Sequence, residues 1–439
     1  MGDISKGSVF LANMIGRINP QEKNVTVIGG GFAGMLAAYA FDRQGYEVTL
    51  YEASDRLGGL ICTVETEMGI SEGAAHSLLV TAPVLEFFRN LGVELIEVSP
   101  GSQARYILRE GRLCKFPLRF FEAVGVLCRG LFVRSKEENW GQITFQEWSL
   151  RFLGRSALNY LITPMLRGIY GASPELLTVR AVFPGLCVPR GYSLFRHLIR
   201  SRSTKTERGK MMAPVGGMGS LVRKLEERLR ERLKDRLRVS TSIEELPRSG
   251  NVVLAVPTAM AAKLLSKQDS RLSQALSEVR STPLVSVTVF LKKSQLKVIP
   301  RGVGVLVPEV ENRRILGILF NSSSFEGRVK SQDWISCTVL LGGSGQPEMI
   351  EASDESLKQI IRDEFQSIFG LEGDLGLCLI WRRKSAVPQY GKHVLELWKI
   401  AESGWCSAPG NILFGNYTGQ VSLRGMIERM ASSTYGKEN

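Results

Sequence analysis

One glycine-rich turn restricts the fold of this chain more than any other feature. Residues 24–28 form a run rich in β-branched side chains that predicts a buried strand, and Gly29, Gly31 and Gly34 follow it in G-x-G-x-x-G spacing. In such a turn the first glycine permits the tight bend. The second lets the backbone approach a pyrophosphate, and the third lets the next helix, residues 33–44, pack on the strand. The helix would direct its N-terminal amides at the phosphates, so the segment predicts a dinucleotide-binding α/β domain.

The residues after this helix indicate which dinucleotide the domain binds. A second predicted strand, residues 47–51, ends at Glu52, whose carboxylate can accept hydrogen bonds from ribose hydroxyls. Arg56 and a second glycine turn follow. Here the chain resembles the flavin-containing amine oxidase superfamily, in which this extension marks FAD, although an arginine often stands at the position of Leu60. The resemblance predicts FAD contacts at Gly29, Gly30, Gly31, Phe32, Ala33, Gly34, Glu52, Ala53, Arg56, Gly58, Gly59 and Leu60.

Length and composition limit the class of protein to which the chain can belong. The chain has 439 residues, more than one hydrophobic core usually organises, so about two or three domains are expected. A formal charge of +13 suggests an anionic partner or simply a solvated basic surface. Seven scattered cysteines and three histidines indicate neither a disulfide framework nor a metal site, so no metal is predicted. No secretory signal or transmembrane helix is expected.

Two basic segments bear on the partner. Residues 113–134 mix bulky apolar side chains with cations, which is typical of a helix in a membrane interface, although a domain core with snorkelling cations shows the same pattern. Residues 190–210 form the densest basic stretch, but only Tyr192 and Phe195 could act as aromatic platforms for bases. A loop near a membrane or anionic ligand and a solvated loop without a role both stay open. We expect peripheral membrane association, a cytoplasmic location and no nucleic-acid partner.

The middle of the chain predicts further elements. Residues 251–265 read as a buried strand and helix that return to the first sheet, and residues 283–342 alternate strands with turns, as in a separate mixed sheet. Leucines repeat every four residues from Leu221 to Leu237, which predicts one amphipathic helix with a buried stripe.

Several blocks, in this order, resemble oxygen-dependent protoporphyrinogen oxidases, the flavoenzyme family of the penultimate step of haem synthesis. The blocks are residues 164–184, 216–221, 304–328, 340–357, 381–393 and 415–427. The implied fold is α/β (α+β overall), with a discontinuous FAD-binding Rossmann-like domain, a mixed-sheet substrate domain and a helical membrane-binding insertion. The boundaries are 24–86, 208–265 and 396–439 for the FAD domain, 87–112 and 266–395 for the substrate domain, 113–207 for the insertion and 1–23 for an N-terminal extension.

The resemblance also assigns site residues. Further FAD contacts are implied at Gly73, Ala74, Ala75, His76, Ile243, Val421, Ser422 and Leu423. Leu306 and Phe325 would clamp the macrocycle, with plain core packing as the alternative, and Arg180 would lie near the substrate or be structural. Glu94 stands where the family commonly has an arginine that pairs a substrate carboxylate, and Arg105 is the nearest basic alternative.

The implied activity is FAD-dependent oxidation of protoporphyrinogen IX to protoporphyrin IX, a six-electron reaction with oxygen as acceptor and hydrogen peroxide as product. A quinone in place of oxygen is the alternative acceptor. No catalytic side chain is assigned, because the cofactor carries the redox chemistry and the protein docks the ring. Oxidation of coproporphyrinogen III and a non-catalytic relative of the same fold are the alternatives. An amine oxidase or carotenoid desaturase agrees less well with the blocks at 304–328 and 381–393. The oligomeric state stays open, with a homodimer among the options.

Overall fold

The computed structural model describes residues 14–201, 209–419 and 421–434. In these ranges the strands are β1 (Asn24–Ile28), β2 (Glu47–Tyr51), β3 (Thr63–Glu65), β4 (Ile70–Glu72), β5 (Leu78–Val80), β6 (Leu95–Glu97), β7 (Arg105–Arg109), β8 (Arg112–Cys114), β9 (Lys210–Pro214), β10 (Leu237–Arg238), β11 (Asn251–Leu254), β12 (Ser281–Lys292), β13 (Gly304–Leu306), β14 (Ile315–Leu319), β15 (Trp334–Gly342), β16 (Cys378–Pro388) and β17 (Asn411–Leu413). The α-helices are α1 (Phe32–Arg43), α2 (Ala82–Leu91), α3 (Phe120–Phe132), α4 (Phe145–Phe152), α5 (Arg155–Ala157), α6 (Thr163–Tyr170), α7 (Val179–Val182), α8 (Leu194–Ser201), α9 (Met218–Leu233), α10 (Thr258–Leu265), α11 (Ser270–Glu278), α12 (Asn321–Ser324), α13 (Asp354–Phe369), α14 (Lys392–Ser403) and α15 (Leu423–Thr434). Most of the predicted N-terminal extension and part of the basic stretch 190–210 lie outside the described residues.

A five-stranded sheet, the parallel sheet, carries the glycine turn. Its strand order is β10-β2-β1-β11-β17 and every pairing in it is parallel. Such sheets are buried on both faces. Val27 and Val253 pack into the cluster that includes α1 and α9, whereas Ile28 and Leu254 pack into the cluster that includes α10. The predicted strands and helix around the turn are thereby confirmed, as are the returning strand and helix at 251–265.

The prediction of a single helix across the whole leucine repeat was wrong at its end. Four leucines of the repeat, from Leu221 to Leu233, are buried along α9. The helix then stops, because Lys234 adopts a φ of 51°. Leu237 instead begins β10, where it pairs with Leu50 of β2 and is still buried. Both roles bury the side chain, so the leucine spacing does not tell them apart.

A second sheet of seven strands, the mixed sheet, is ordered β16-β12-β15-β14-β13-β7-β8. Its pairings are antiparallel except for β13 with β7. The predicted strands of residues 283–342 form its centre, and β7, β8 and β16 extend it from outside that range. One face packs on α13, where Val287 and Val339 contact the cluster that contains Phe365.

The two sheets are joined through the short antiparallel pair β3–β4. Ser71 of β4 donates a hydrogen bond of 2.9 Å to the hydroxyl of Thr288 on β12. The indole of Trp381 on β16 donates to Ser71 over 3.0 Å. The second face of the mixed sheet, opposite α13, is therefore directed at β4 and the small-residue loop that follows it.

Helices α3–α8 lie beside the mixed sheet, and their interior belongs to the hydrophobic cluster that also includes α10 and α14. This interior is aromatic, with Trp140, Phe145, Trp148 and Phe152 all buried. Arg109 of β7 fixes α3 to the sheet, since its guanidinium donates to both carboxylate oxygens of Glu122 at 2.8 Å. Among the described residues, no helix has the length and apolar character needed to cross a membrane.

Candidate active site

The first glycine turn forms an open cradle at the start of α1. Gly29 has a φ of +105°, which favours glycine, and its amide donates to the Tyr51 carbonyl at 2.8 Å. A Cβ on Gly34 would lie 1.8 Å from the Gly29 carbonyl oxygen, so helix and turn are in close contact. A Cβ on Gly31 would meet nothing closer than the Cα of Gly59, at 3.9 Å. The backbone face at Gly31 is therefore free to receive a ligand.

The amides of this cradle suit an anion. α1 begins without a side-chain cap and has no acidic residue in its first turn. The first amides of a helix lack intrahelical partners and carry partial positive charge, so they bind phosphate groups well. The arrangement fits the pyrophosphate of a dinucleotide.

Glu52 lies at the end of β2, beside the cradle. One carboxylate oxygen accepts the Gly30 amide at 2.6 Å, and the other accepts the amide and hydroxyl of Ser54 at 2.8 and 2.7 Å. These bonds hold the carboxylate at the carboxyl edge of the parallel sheet, where a ribose would bind. The Thr241 amide donates to the Glu52 carbonyl at 2.8 Å, which brings the segment containing the half-buried Ile243 to the same edge.

The second glycine turn closes on the first. The Gly58 amide donates to the Gly30 carbonyl at 2.8 Å. Arg56 is exposed and donates to the Gly59 carbonyl at 2.6 Å, so its side chain crosses this turn. Ala53 is exposed, and Leu60 is 37% exposed at the position where the superfamily often has an arginine.

The remaining predicted cofactor residues come from distant segments. The Gly73 amide donates to the Cys62 carbonyl at 2.7 Å, which fixes the loop of residues 73–76 beside the second glycine turn. Residues 421–423 lead into α15, a helix that packs against α1 and α2. The structure thus places these segments around α1, and the FAD contact of each residue stays a prediction.

A buried ion pair that the sequence did not reveal connects the cofactor and substrate regions. Arg328 donates to Glu72 at 2.7 Å, and the two side chains are 3% and 2% exposed. Glu72 also accepts the hydroxyl of Thr63 at 2.6 Å and the Met218 amide at the start of α9 at 2.8 Å. Arg328 further donates to the His76 carbonyl at 3.1 Å. The pair therefore fixes the small-residue loop between the two sheets.

Two polar groups at this loop have buried atoms without a hydrogen-bond partner among the described residues. They are Nε2 of His76, and Nε and Nη2 of Arg383. Burial, together with the Arg328 charge, lowers the pKa of His76 to about 3, so the ring is neutral near pH 7. Unpartnered buried atoms are uncommon in folded proteins, and these border the predicted cofactor site.

The predicted substrate residues occupy different environments. Leu306 is half-buried on β13, whereas Phe325 is 4% exposed, with the Arg328 guanidinium 5.5 Å from its ring centre. Arg180 is exposed on α7, near Cys187. Glu94 and Arg105 are also exposed. Their roles in substrate binding stay predictions.

A family model for flavin-containing amine oxidoreductases matches residues 32–429, which is most of the chain and includes α1, Glu52 and the second glycine turn. The chain belongs to this family. FAD is accordingly its cofactor, in agreement with the open cradle at Gly31. The family's fold class, a mixed α/β architecture, is also confirmed.

Curated relatives place the chain near one branch of the flavin-containing amine oxidoreductases. It is 26% identical to the mitochondrial protoporphyrinogen oxidase of Nicotiana tabacum, across 91% of this chain and 92% of the relative. It is 22% identical to the coproporphyrinogen III oxidase of Bacillus subtilis, across 87% of this chain and 90% of the relative. The resemblance to protoporphyrinogen oxidases is thereby confirmed.

Solved structures share the fold. A protein from Exiguobacterium sp. 255-15 superposes with a TM-score of 0.73 at 21% identity, over 95% of this chain and 98% of that chain. Cyclohexylamine oxidase from Brevibacterium oxydans superposes with a TM-score of 0.67 at 14% identity, over 94% of this chain and 98% of that chain.

Proposed function

We propose that this protein oxidises protoporphyrinogen IX to protoporphyrin IX with FAD, using oxygen as acceptor and releasing hydrogen peroxide. FAD, when bound, supplies the redox chemistry. The protein residues orient the macrocycle against it and exclude water. The observation that carries the proposal is the half-buried apolar face of the mixed sheet, which lies across the loop of residues 73–76 from the glycine cradle.

We infer that the macrocycle lies on that face, because apolar side chains line it. A row in register crosses it from Leu306 of β13 through Gly317 and Leu340 to Ser286 and Trp381. Directly opposed residues of neighbouring strands point to the same side of a sheet. Leu306, Leu340 and Trp381 are each half-buried, so apolar surface is available beside the cofactor region.

The test is porphyrin formation in air. Detergent-solubilised protein loaded with FAD is incubated separately with protoporphyrinogen and coproporphyrinogen, and porphyrin fluorescence is followed. We expect faster growth of the protoporphyrin signal than in the enzyme-free reaction, with hydrogen peroxide formed alongside. A larger rate with coproporphyrinogen would assign the second substrate instead. Growth of neither signal above the enzyme-free rate would refute the oxidase proposal and favour a non-catalytic relative.

We further propose that α3 binds the surface of an anionic membrane on the cytoplasmic side. Four large aromatic side chains are exposed on this helix and just before it. Phe120 is 76% exposed, Phe121 85% and Phe132 76% on α3, and Phe116, four residues before the helix, is 83% exposed. Burying one such ring is worth about 1.5–3 kcal/mol, so four together give several kcal/mol. The net charge of +13 complements anionic lipid.

Vesicle sedimentation tests this surface. The Phe120→Ser/Phe121→Ser variant should lose most binding to vesicles of phosphatidylserine and phosphatidylcholine. Val298→Ser, at a side chain that is 50% exposed on a different surface, should keep it. Equal binding by both variants would contradict the membrane proposal. A wild-type dimer that the double variant dissociates would assign the surface to a second copy of the chain.

A further inference from the structure

Arg383 lies on the face of the mixed sheet that is directed at the small-residue loop. It pairs in register with Leu284 of β12. It follows Trp381 by two residues, so both side chains point to the same side of β16, and its guanidinium lies 5.3 Å from the indole ring centre. Its Nη2 atom lies 3.2 Å from the position that a Cβ on Gly73 would take. The guanidinium therefore reaches the predicted cofactor loop.

The buried donors of Arg383 lack acceptors. Its Nε and Nη2 atoms are buried and have no hydrogen-bond partner among the described residues. The adjacent Arg382 points to the other face of β16, where it donates to Asp354 at 2.7 Å and to the Ala352 carbonyl at 2.6 Å. Since an unpartnered buried donor is costly, the Nε and Nη2 atoms of Arg383 leave room for a ligand that supplies an acceptor.

The positive charge around Arg383 also favours a bound anion. Burial lowers the pKa of Arg383, and the neighbouring positive charge of Arg56 lowers it further. A second cation close to a half-buried guanidinium is unfavourable unless an anion neutralises the pair. A planar guanidinium binds a carboxylate or phosphate with two parallel hydrogen bonds.

The position of Arg383 favours a substrate carboxylate over a cofactor phosphate. It stands on the mixed sheet, next to the apolar row from Leu306 to Trp381, whereas the phosphate-binding amides belong to α1 and the parallel sheet. A flat apolar ring lying on this row would bring a carboxylate arm at its edge to Arg383, two residues along β16 from Trp381. Glu94, by contrast, is exposed and carries the same sign of charge as that arm.

We propose that Arg383 binds a carboxylate arm of the porphyrinogen and thereby fixes the orientation of the ring on the mixed sheet. This inference rests on the proposed function, because it takes the macrocycle as the substrate. Arg383 is a specificity-determining residue that contacts the substrate arm and has no part in electron transfer.

The test is a binding titration that requires no turnover. FAD-loaded wild type and the Arg383→Gln, Arg383→Lys and Arg382→Gln variants are titrated with protoporphyrin and with its dimethyl ester, following porphyrin fluorescence. Loss of a charge-assisted hydrogen bond weakens binding about 10- to 100-fold. We expect that loss for the free acid with Arg383→Gln and a smaller loss with Arg383→Lys. The ester affinity of every variant, and the acid affinity of Arg382→Gln, should stay close to wild type.

Three results would overturn the inference. An equal loss for acid and ester with Arg383→Gln would show a packing role. A fall in FAD content with unchanged porphyrin affinity would show that the anion is a cofactor phosphate. Wild type that binds the acid no better than the ester would show that the carboxylate is not recognised. Failure of the proposed function has a different outcome. The wild-type protein would then form no porphyrin in air but would still bind protoporphyrin more tightly than its dimethyl ester.

Discussion

Replacing Gly31 and Gly34 in turn separates cofactor binding from folding at adjacent positions of one motif. Gly31 has φ −64° and ψ 173°, a region open to alanine, and its Cβ would meet no atom closer than 3.9 Å. The Gly31→Ala chain should therefore fold as well as wild type. Restricting the unfolded chain can even add about 0.4–1 kcal/mol of stability.

The same methyl group projects into the space expected for the pyrophosphate. It blocks the close backbone approach and removes about one charge-assisted hydrogen bond, worth about 1.5–3 kcal/mol. FAD affinity should fall about 10- to 100-fold. In Gly34→Ala the Cβ would lie 1.8 Å from the Gly29 carbonyl oxygen, so α1 has to move from the turn, at a cost of about 3 kcal/mol.

The assays are FAD titration of the apoprotein, followed by flavin fluorescence, and thermal unfolding of the apo forms. An unfolding entropy of about 2.1 cal/mol/K per residue gives about 0.9 kcal/mol/K for 439 residues, so about 3 kcal/mol lowers Tm by about 3 °C. Gly34→Ala should show this fall and Gly31→Ala should not. Wild-type FAD affinity in Gly31→Ala, or a Tm loss as large as that of Gly34→Ala, would refute the placement of the cradle.

Two ion pairs give further predictions. Glu72→Gln leaves Arg328 buried without a counter-charge, which should cost about 3–5 kcal/mol in urea unfolding. Adding Arg328→Met to the Glu72→Gln variant should recover part of the lost free energy of unfolding. If the free-energy changes of the two substitutions simply add, Glu72 and Arg328 are not coupled. The pKa of Glu122 is lowered to about 2, first by its hydrogen bond with Arg109. The folded-state pKa is thus below the unfolded value, so this carboxylate stabilises the protein above about pH 4.5, and that contribution is lost as pH falls towards 2. The stability difference between wild type and Glu122→Gln should shrink over that range, and a difference independent of pH would contradict the assignment.

Local features of the sequence predicted the parallel sheet and the cofactor cradle. The spacing of Gly29, Gly31 and Gly34 and the acid at the end of β2 depend on backbone geometry within one short segment. Such geometry depends on neighbouring residues, so the local sequence predicts it. The leucine repeat does not predict where α9 ends, because Leu237 stays buried whether it continues α9 or begins β10.

The groups that connect the sheets depend on contacts across the chain. Arg328 and Glu72 are separated by 256 positions, and Trp381 and Ser71 by 310. Glu72 and Arg328 both lie in segments where a charged residue is ordinarily predicted to be exposed to solvent. Only the folded chain shows that each is buried and that they neutralise each other.

Arg382 and Arg383 show why a basic run cannot be interpreted from its composition. Strand geometry sends adjacent side chains to opposite faces, so one arginine pairs with Asp354 at the start of α13 and the other faces the cofactor loop. The first is satisfied by the protein itself. The second is not, and a fold that keeps an unpartnered guanidinium beside its cofactor loop gains stability when an anion binds there. The two unpartnered donors of Arg383 and their position beside residues 73–76, more than the charge of the run, therefore support the proposed ligand-binding role of this arginine.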